Sequence, residues 1–254
     1  MSIQRLFVVL VVILHISLLA ACVAVNKKAA PRLEIARAKI ELAAEYLRKD
    51  RLANALENLN DALKYDPESV NANTMIAMVY DRLDQLNLAA EHFDTALENV
   101  DVNSTNYGDV HNVFGTFLCK RDRTIEADEH FMLAVNNRLY RHPQAAYENA
   151  GQCALKRNKK DKAEEYFQKA LKINPRMPGV LFKMSGLKFE MSDYSAAQSY
   201  LNRYHKVATE DAGSLLLAIR IEKALGNTRT MYRLADRLRR LYPDSEQVRQ
   251  IGVL

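Results

Sequence analysis

A pattern of small and large apolar residues recurs every 34 residues along this 254-residue chain, and it limits the folds that the chain can adopt. The first copy consists of Ala43, Tyr46, Ala55, Leu59, Ala62 and Pro67, and the next of Ala77, Tyr80, Ala89, Phe93, Ala96 and Asp101. Four more copies follow once an insertion at residues 104–107 and a two-residue slip are allowed for. Small residues let two helices of a hairpin approach closely, and a proline ends the second helix. Each unit must then bury its apolar face on its neighbours.

This order of small, aromatic, small, large apolar, small and proline residues is similar to the tetratricopeptide repeat. It predicts an all-α fold, a right-handed superhelix of six helix-turn-helix repeats. Repeats one, two and four match the pattern well, whereas repeats five and six are degenerate, and the usual Trp is absent throughout. The predicted repeats span residues 36–69, 70–103, 108–141, 144–177, 178–211 and 212–245, and residues 246–254 form a C-terminal tail.

Residues 1–21 have the features of a secretory signal peptide. Arg5 gives a positive start, and Leu6 to Leu19 is an apolar run interrupted by His15 and Ser17. The run is too short to cross a hydrocarbon core comfortably, which takes about 20 apolar residues. Small residues follow it, as they do before a cleavage site. We therefore expect residues 1–21 to be removed from the mature protein.

The sequence Leu19-Ala20-Ala21-Cys22 at the end of this run resembles a bacterial lipobox. The resemblance implies a covalent lipid on Cys22, followed by a lipidated N-terminal tether over residues 22–35. Several acyl chains hold a protein durably on a bilayer. Val23 stands where Asp usually signals retention in the inner membrane, which favours the periplasmic face of the outer membrane. The alternative is ordinary cleavage near Ala21, with Cys22 incidental.

Composition and motifs give little support to an enzyme or to a nucleic-acid-binding protein. The chain has 36 Lys and Arg residues against 31 Asp and Glu residues, and the two signs are mixed along it. A nucleic-acid-binding protein should concentrate its cations on one face. No HExxH, GxSxG, P-loop, GxGxxG or metal-binding cysteine spacing occurs. We expect no catalytic residues, no metal, no small-molecule substrate, and no cofactor beyond the lipid on Cys22.

Two cysteines, Cys119 and Cys153, fall on the predicted first helices of adjacent repeats. A disulfide is possible in the oxidising periplasm. Buried free cysteines that act as small hydrophobic residues are the favoured interpretation.

Two basic segments remain ambiguous. Lysines and an arginine between residues 156 and 162 surround the turn of repeat four, where a solvated turn is favoured over contact with an anionic partner. Arg229, Arg233, Arg237 and Arg240 recur at helical spacing on the last predicted helix, as a polar end cap or as a docking face.

An inner groove is the candidate site for a partner, because repeat arrays form extended concave surfaces. In a tetratricopeptide fold the groove is lined by repeat positions 2, 5, 9 and 12 of each first helix. The apolar candidates at these positions are Ile40, Ala44, Leu47, Met78, Phe182 and Phe189. The strip in repeat one either binds a partner or is covered by the tether or by the superhelix itself. We expect an amphipathic partner segment to lie in the groove.

Lipobox, tether and six repeats together resemble the type IV pilus biogenesis and stability lipoproteins, the pilotins of the pilus secretin. The more specific segments span residues 112–118, 214–220 and 238–243. The resemblance implies an outer-membrane lipoprotein that binds the type IV pilus secretin and promotes its localisation and multimerisation, for pilus biogenesis and twitching motility. One alternative is a scaffold lipoprotein for outer-membrane protein insertion or cell-wall synthase activation. The other is an enzyme on a repeat scaffold.

Overall fold

A computed structural model describes residues 31–252, which form helices joined by short turns without a β-strand among them. Helix α1 spans residues 31–48. The further helices are α2 (Leu52–Tyr65), α3 (Val70–Arg82), α4 (Leu86–Asn99), α5 (Asn106–Lys120), α6 (Thr124–Asn136), α7 (Pro143–Lys156), α8 (Lys160–Ile173), α9 (Pro178–Glu190), α10 (Tyr194–His205), α11 (Ala212–Ala224), α12 (Thr228–Leu241) and α13 (Glu246–Ile251). The predicted all-α fold of paired helices is confirmed. The predicted signal peptide and Cys22 lie outside the described residues.

A left-handed residue recurs at the turn inside each hairpin. These residues are Asp50, Asp84, Asp122, Asn158, Ser192 and Gly226, with φ between 55° and 76°. In each turn the next amide donates to a carbonyl five residues back, as in Arg51 to Tyr46 and Asn227 to Glu222. This bond is the wide one of a Schellman motif, which ends a helix on a left-handed residue. The turn therefore follows the sequence repeat, insertions included.

By its internal contacts the chain divides into two compact units, one up to Val113 and one from Phe114. In the first unit, small residues of α1, α2 and α3 pack around Leu59 and Ile76, both fully buried. Leu47 is only 8% exposed and belongs to this core. Residues 31–35 are helical, so the predicted tether boundary at residue 35 is too late by at least five residues.

In the second unit, aromatic rings fill the space between the two helices of a hairpin. Phe131 lies against Gly115 and Phe167 against Gly151, both rings fully buried. Glycine is required at these two positions because a Cβ there would come within 2.8 Å and 2.6 Å of the ring. This is the close helix approach that the repeat pattern predicts.

A disulfide joins Cys119 on α5 to Cys153 on α7, so the favoured prediction of free cysteines is wrong. The two residues are 34 apart and occupy nearly the same height on neighbouring first helices, which brings their Cα atoms to 5.8 Å. This separation is within the range that a disulfide needs.

The predicted C-terminal tail contains a helix that packs on the last hairpin. Ser245 begins α13 by accepting a hydrogen bond from the Val248 amide. Ile251 is 6% exposed and joins the cluster formed by Leu215, Leu216 and Leu238. Helix α13 therefore covers apolar surface that the final hairpin would otherwise expose.

Candidate partner-binding site

The predicted apolar strip of repeat one is mostly covered by its own hairpin. Leu47 lies in the core of the first unit, and Ile40 packs against that core as a half-buried side chain. Ala44 is also half-buried. Leu47 is therefore covered by core side chains of α1, α2 and α3. Its role in partner binding stays a prediction, and a polar substitution there would test folding first.

Exposed apolar side chains lie elsewhere on α1. Leu33, Ile35 and Leu42 are 41%, 41% and 44% exposed, although none of them is at an expected groove position. Ile35 and Leu42 are seven residues apart and so lie on one face of the helix. That i, i+7 spacing was the signal that could have found them. On α3, Met78 is half-buried.

Helix α9 carries the other predicted apolar pair on one partly accessible face. Phe182, Gly186 and Phe189 are half-buried and follow one another at spacings of four and three residues, which places them on one side of the helix. The Phe182 ring lies 5.4 Å from the Tyr204 ring, and the Phe189 ring lies 5.4 Å from the Tyr194 ring, centroid to centroid. Both tyrosines belong to α10, so the second helix of the hairpin supports both phenylalanine rings.

Gly186 lies between these two rings and differs from the packed glycines. A Cβ built on Gly186 would meet no heavy atom within 4 Å, apart from its own helix backbone and its chain neighbours. Packing within the described chain therefore does not require a glycine here. The result is a gap above Gly186 on the α9 face that carries Phe182 one turn before it and Phe189 one turn after it.

The charged residues beside this face are partly paired. Lys183 Nζ on α9 donates to Glu148 Oε1 on α7 at 2.8 Å. Arg220 on α11 is exposed, and its Nη2 donates to the neutral amide oxygen of Gln250 at 2.9 Å. Behind the face, Lys188 Nζ lies 2.6 Å from Glu164 Oε1. This hydrogen bond raises the pKa of Lys188, so the ammonium stays charged.

A row of equivalent repeat positions crosses this part of the second unit. Gln152, Gly186 and Arg220 are successive residues at position 9, each 34 residues after the previous one. They lie on α7, α9 and α11 at the same height, because the helices keep the repeat register. An amide, an apolar gap and a guanidinium group therefore follow one another. These three residues include no nucleophile and no acid–base pair.

The basic turn of repeat four is largely neutralised. Lys156 pairs with Asp122 at 2.9 Å, Lys160 with Glu190 at 3.0 Å and Lys162 with Asp128 at 2.7 Å. These pairs join neighbouring hairpins and support the favoured interpretation as a solvated turn. Asp128 also accepts a 2.7 Å hydrogen bond from the Tyr166 hydroxyl. Burial raises the pKa of Tyr166, which keeps this hydroxyl protonated as a donor.

A cavity of about 270 Å³ lies beside the disulfide. It is lined by Thr116, Cys119, Lys120, Phe131, Asn149, Gln152, Cys153 and Lys156. Lys156 Nζ also donates to the Cys119 carbonyl at 3.0 Å. The disulfide and this lysine both fix the neighbouring first helices α5 and α7 to each other.

Between residues 31 and 252, no group of three His, Cys, Asp or Glu side chains is arranged to hold a metal ion. In the same part of the chain, each helix is too short or too polar to cross a membrane.

Known proteins share both the repeats and the fold of this chain. Tetratricopeptide-repeat family models match residues 40–104 and 145–177. The chain is 32% identical over 208 residues to the type IV pilus assembly protein PilF of Pseudomonas aeruginosa. The matched region covers 82% of this chain and 81% of that protein. The solved structure of P. aeruginosa PilF superposes with a TM-score of 0.77 at 30% identity, covering 88% of this chain and 99% of that chain. PilW, a widely conserved type IV pilus biogenesis factor, superposes with a TM-score of 0.76 at 30% identity, covering 85% and 98%.

Proposed function

Because the chain belongs to the family of type IV pilus assembly proteins built from tetratricopeptide repeats, we propose that it is an outer-membrane pilotin. In this role it binds subunits of the type IV pilus secretin in the periplasm and promotes their localisation and multimerisation in the outer membrane. The secretin ring then serves as the exit pore for the pilus. The protein thereby supports pilus biogenesis and twitching motility.

The observation that carries this proposal is the partly accessible apolar face of α9 in the second unit. Phe182 and Phe189 are held by rings from α10, and Gly186 leaves a gap between them. Apolar side chains that stay partly accessible together on one helix face are typical of an interaction site. A rigid face can bind a partner segment with little ordering cost. A scaffold with such a face acts by binding, and we expect no catalytic step.

The lipid anchor is the second part of the proposal. Cys22 ends a sequence similar to a lipobox, and its diacylglycerol would hold the protein at the inner surface of the outer membrane. A lipid anchor would also deliver the bound partner, because a secretin subunit that is bound to the lipoprotein must travel with it to the membrane to which the lipid is sorted. Palmitate labelling of the wild-type protein and of Cys22→Ala tests the anchor directly.

A deletion strain tests the function. We expect the strain to lack heat-resistant secretin multimers in its outer membrane, and the wild-type gene to restore them. Cys22→Ala should restore far fewer, although the protein accumulates to the same level. Normal multimers in the deletion strain would contradict the proposal. A pull-down with this protein from solubilised envelope distinguishes the alternative. Recovery of outer-membrane insertion factors or a cell-wall synthase, in place of secretin, would favour the scaffold role.

A further inference from the structure

From the α9 face we infer that Gly186 and Arg220 form one recognition site for an apolar side chain with a neighbouring carboxylate. The occupant is a segment of the secretin in which Leu, Met or Phe lies beside Asp or Glu. This inference rests on the proposed function for the identity of the partner. It depends on three features of the second unit, which are the gap, its walls and the charge beside it.

The gap is the first feature. Gly186 lies in the interior of α9, a position where glycine is clearly less favourable than alanine for helix formation. Gly115 and Gly151 have a clear packing reason, since Phe131 and Phe167 occupy the space of their missing Cβ atoms. Gly186 has no such neighbour within the described chain. Its lack of a side chain instead opens a place for a group from outside.

The walls are the second feature. Phe182 and Phe189 are seven residues apart, so about 10 Å of helix separates their Cα atoms. That length accommodates one large apolar side chain between two rings. The Tyr204 ring packs on Phe182 and the Tyr194 ring packs on Phe189. The Tyr204 hydroxyl also donates to Asp211 Oδ2 at 3.1 Å, which fixes that support.

The charge is the third feature and selects the occupant. Arg220 occupies the repeat position on α11 that Gly186 occupies on α9, and it is exposed. Its guanidinium group donates to the amide oxygen of Gln250, a neutral acceptor. Lys223 lies one turn further along α11 and is exposed as well. In contrast, Glu148 on the other side of α9 is occupied by Lys183. An apolar side chain of the partner can therefore enter the gap on α9. A carboxylate beside it can accept two hydrogen bonds from the Arg220 guanidinium group on α11.

Three variants of the full-length lipoprotein, purified in detergent, test the site. Gly186→Leu fills the gap, Arg220→Gln removes the charge, and Ser199→Leu adds the same apolar side chain at an exposed position of α10. Binding to purified secretin is measured by titration. We expect about a tenfold loss of affinity for Gly186→Leu and a similar loss for Arg220→Gln, each equivalent to one or two contacts. Ser199→Leu should bind like the wild type.

Gly186→Ala separates binding from folding. Alanine is more favourable than glycine in a helix interior, so the thermal unfolding midpoint of this variant should stay the same or rise. Its affinity for secretin should nevertheless fall, since the new methyl group enters the gap. Weaker binding with a lowered midpoint would mean that Gly186 supports folding, and would overturn the inference.

A peptide array distinguishes the failure of the site from the failure of the proposed function. The probes are synthetic 12-residue peptides with one Leu or Phe flanked by Asp and Glu, by Lys, or by Ser. The wild-type protein should retain the acidic set, and Gly186→Leu and Arg220→Gln should not. If the wild type binds these peptides but not secretin, the proposed function fails and the site stands. Equal retention of all three sets, or of the acidic set by all variants, would overturn the site even if secretin binds.

Discussion

The ring of Phe167 on α8 occupies the space that a side chain on Gly151 of α7 would need. A Cβ built on Gly151 would lie 2.6 Å from Phe167 Cε1 and 2.7 Å from Cδ1. Phe167 is fully buried, so the ring has nowhere to move. Gly115 and Phe131 repeat the arrangement in the preceding hairpin, where the closest distance is 2.8 Å. The same residue type therefore serves packing at positions 115 and 151 and leaves open space at position 186.

Gly151→Ala should lower the free energy of unfolding by about 1–3 kcal/mol, the usual cost of overpacking a core. The helix propensity gained by alanine opposes this effect but is smaller. Urea unfolding followed by circular dichroism measures the change. Gly186→Ala is the matched control, with the same substitution in a helix of the same unit but no neighbour to displace. A Gly151→Ala protein as stable as the wild type would contradict the observed packing.

Loss of the disulfide should destabilise the second unit. Cys119 and Cys153 close a loop of 34 residues, and a loop of this length corresponds to about 4 kcal/mol in the chain-entropy account. We expect the Cys119→Ser, Cys153→Ser double variant to melt at a lower temperature than the oxidised wild type. A reductant should lower the midpoint of the wild type and leave that of the double variant unchanged. Equal midpoints for all samples would show that the bond contributes nothing to stability.

Acidification should destabilise the fold through its partly buried histidines. His92 Nδ1 lies 2.8 Å from Asn73 Oδ1, and the Asn73 amide nitrogen donates to the Ser69 carbonyl. Burial lowers the pKa of His92 below its ordinary value of 6.5. The unfolded chain therefore binds this proton more readily than the folded chain, so stability is lost as the pH falls below about 6.5.

Unfolding free energies between pH 7.5 and 5 test this pH dependence. His92→Gln keeps a donor near Asn73 but cannot gain a proton, so it should reduce the loss of stability on acidification. His142 is exposed, and His142→Gln serves as the matched control, the same substitution at a surface position. Burial also lowers the pKa values of His130 and His205, so part of the pH dependence should remain in the His92 variant.

Ile251→Ala should weaken the end of the second unit by about 2 kcal/mol, the lower part of the range for a buried aliphatic truncation. Ile251 is 6% exposed and packs with Leu216 and Leu238. Urea unfolding should show the loss, and faster amide hydrogen exchange in α13 should accompany it. Arg249→Ala, which changes an exposed residue of the same helix, should leave both measurements unaltered. Similar values for the two variants would mean that α13 does not contribute to the core.

The turns and hairpins show how far periodicity alone can reach. The 34-residue pattern places a glycine where the rings of Phe131 and Phe167 pack, and the hairpins follow it even across the insertions. The left-handed turn residues follow the same period but differ in type, from Asp to Asn, Ser and Gly. Side-chain identity therefore did not reveal them, because their φ value is imposed by the Schellman bond to the end of the first helix.

The candidate site was predicted only in part. Phe182 and Phe189 were found because groove positions are fixed by the repeat register. Leu47 occupies an equivalent register in repeat one, yet it lies in the core together with Leu59 and Ile76. Gly186 drew no attention as a single letter. Its difference from Gly151 lies in the distance to the nearest ring, which is a property of two helices together.

Local and periodic features of this protein follow from its sequence: helical hairpins, their number and spacing, and their closely packed small residues. These depend on the residue itself or on neighbours at constant spacing, so a linear pattern encodes them. The tertiary structure alone decided that Cys119 pairs with Cys153, that α13 covers the last hairpin, and that one glycine packs while another is open. Each of these depends on atoms from separate helices meeting in space, where a difference of one or two ångströms reverses the outcome.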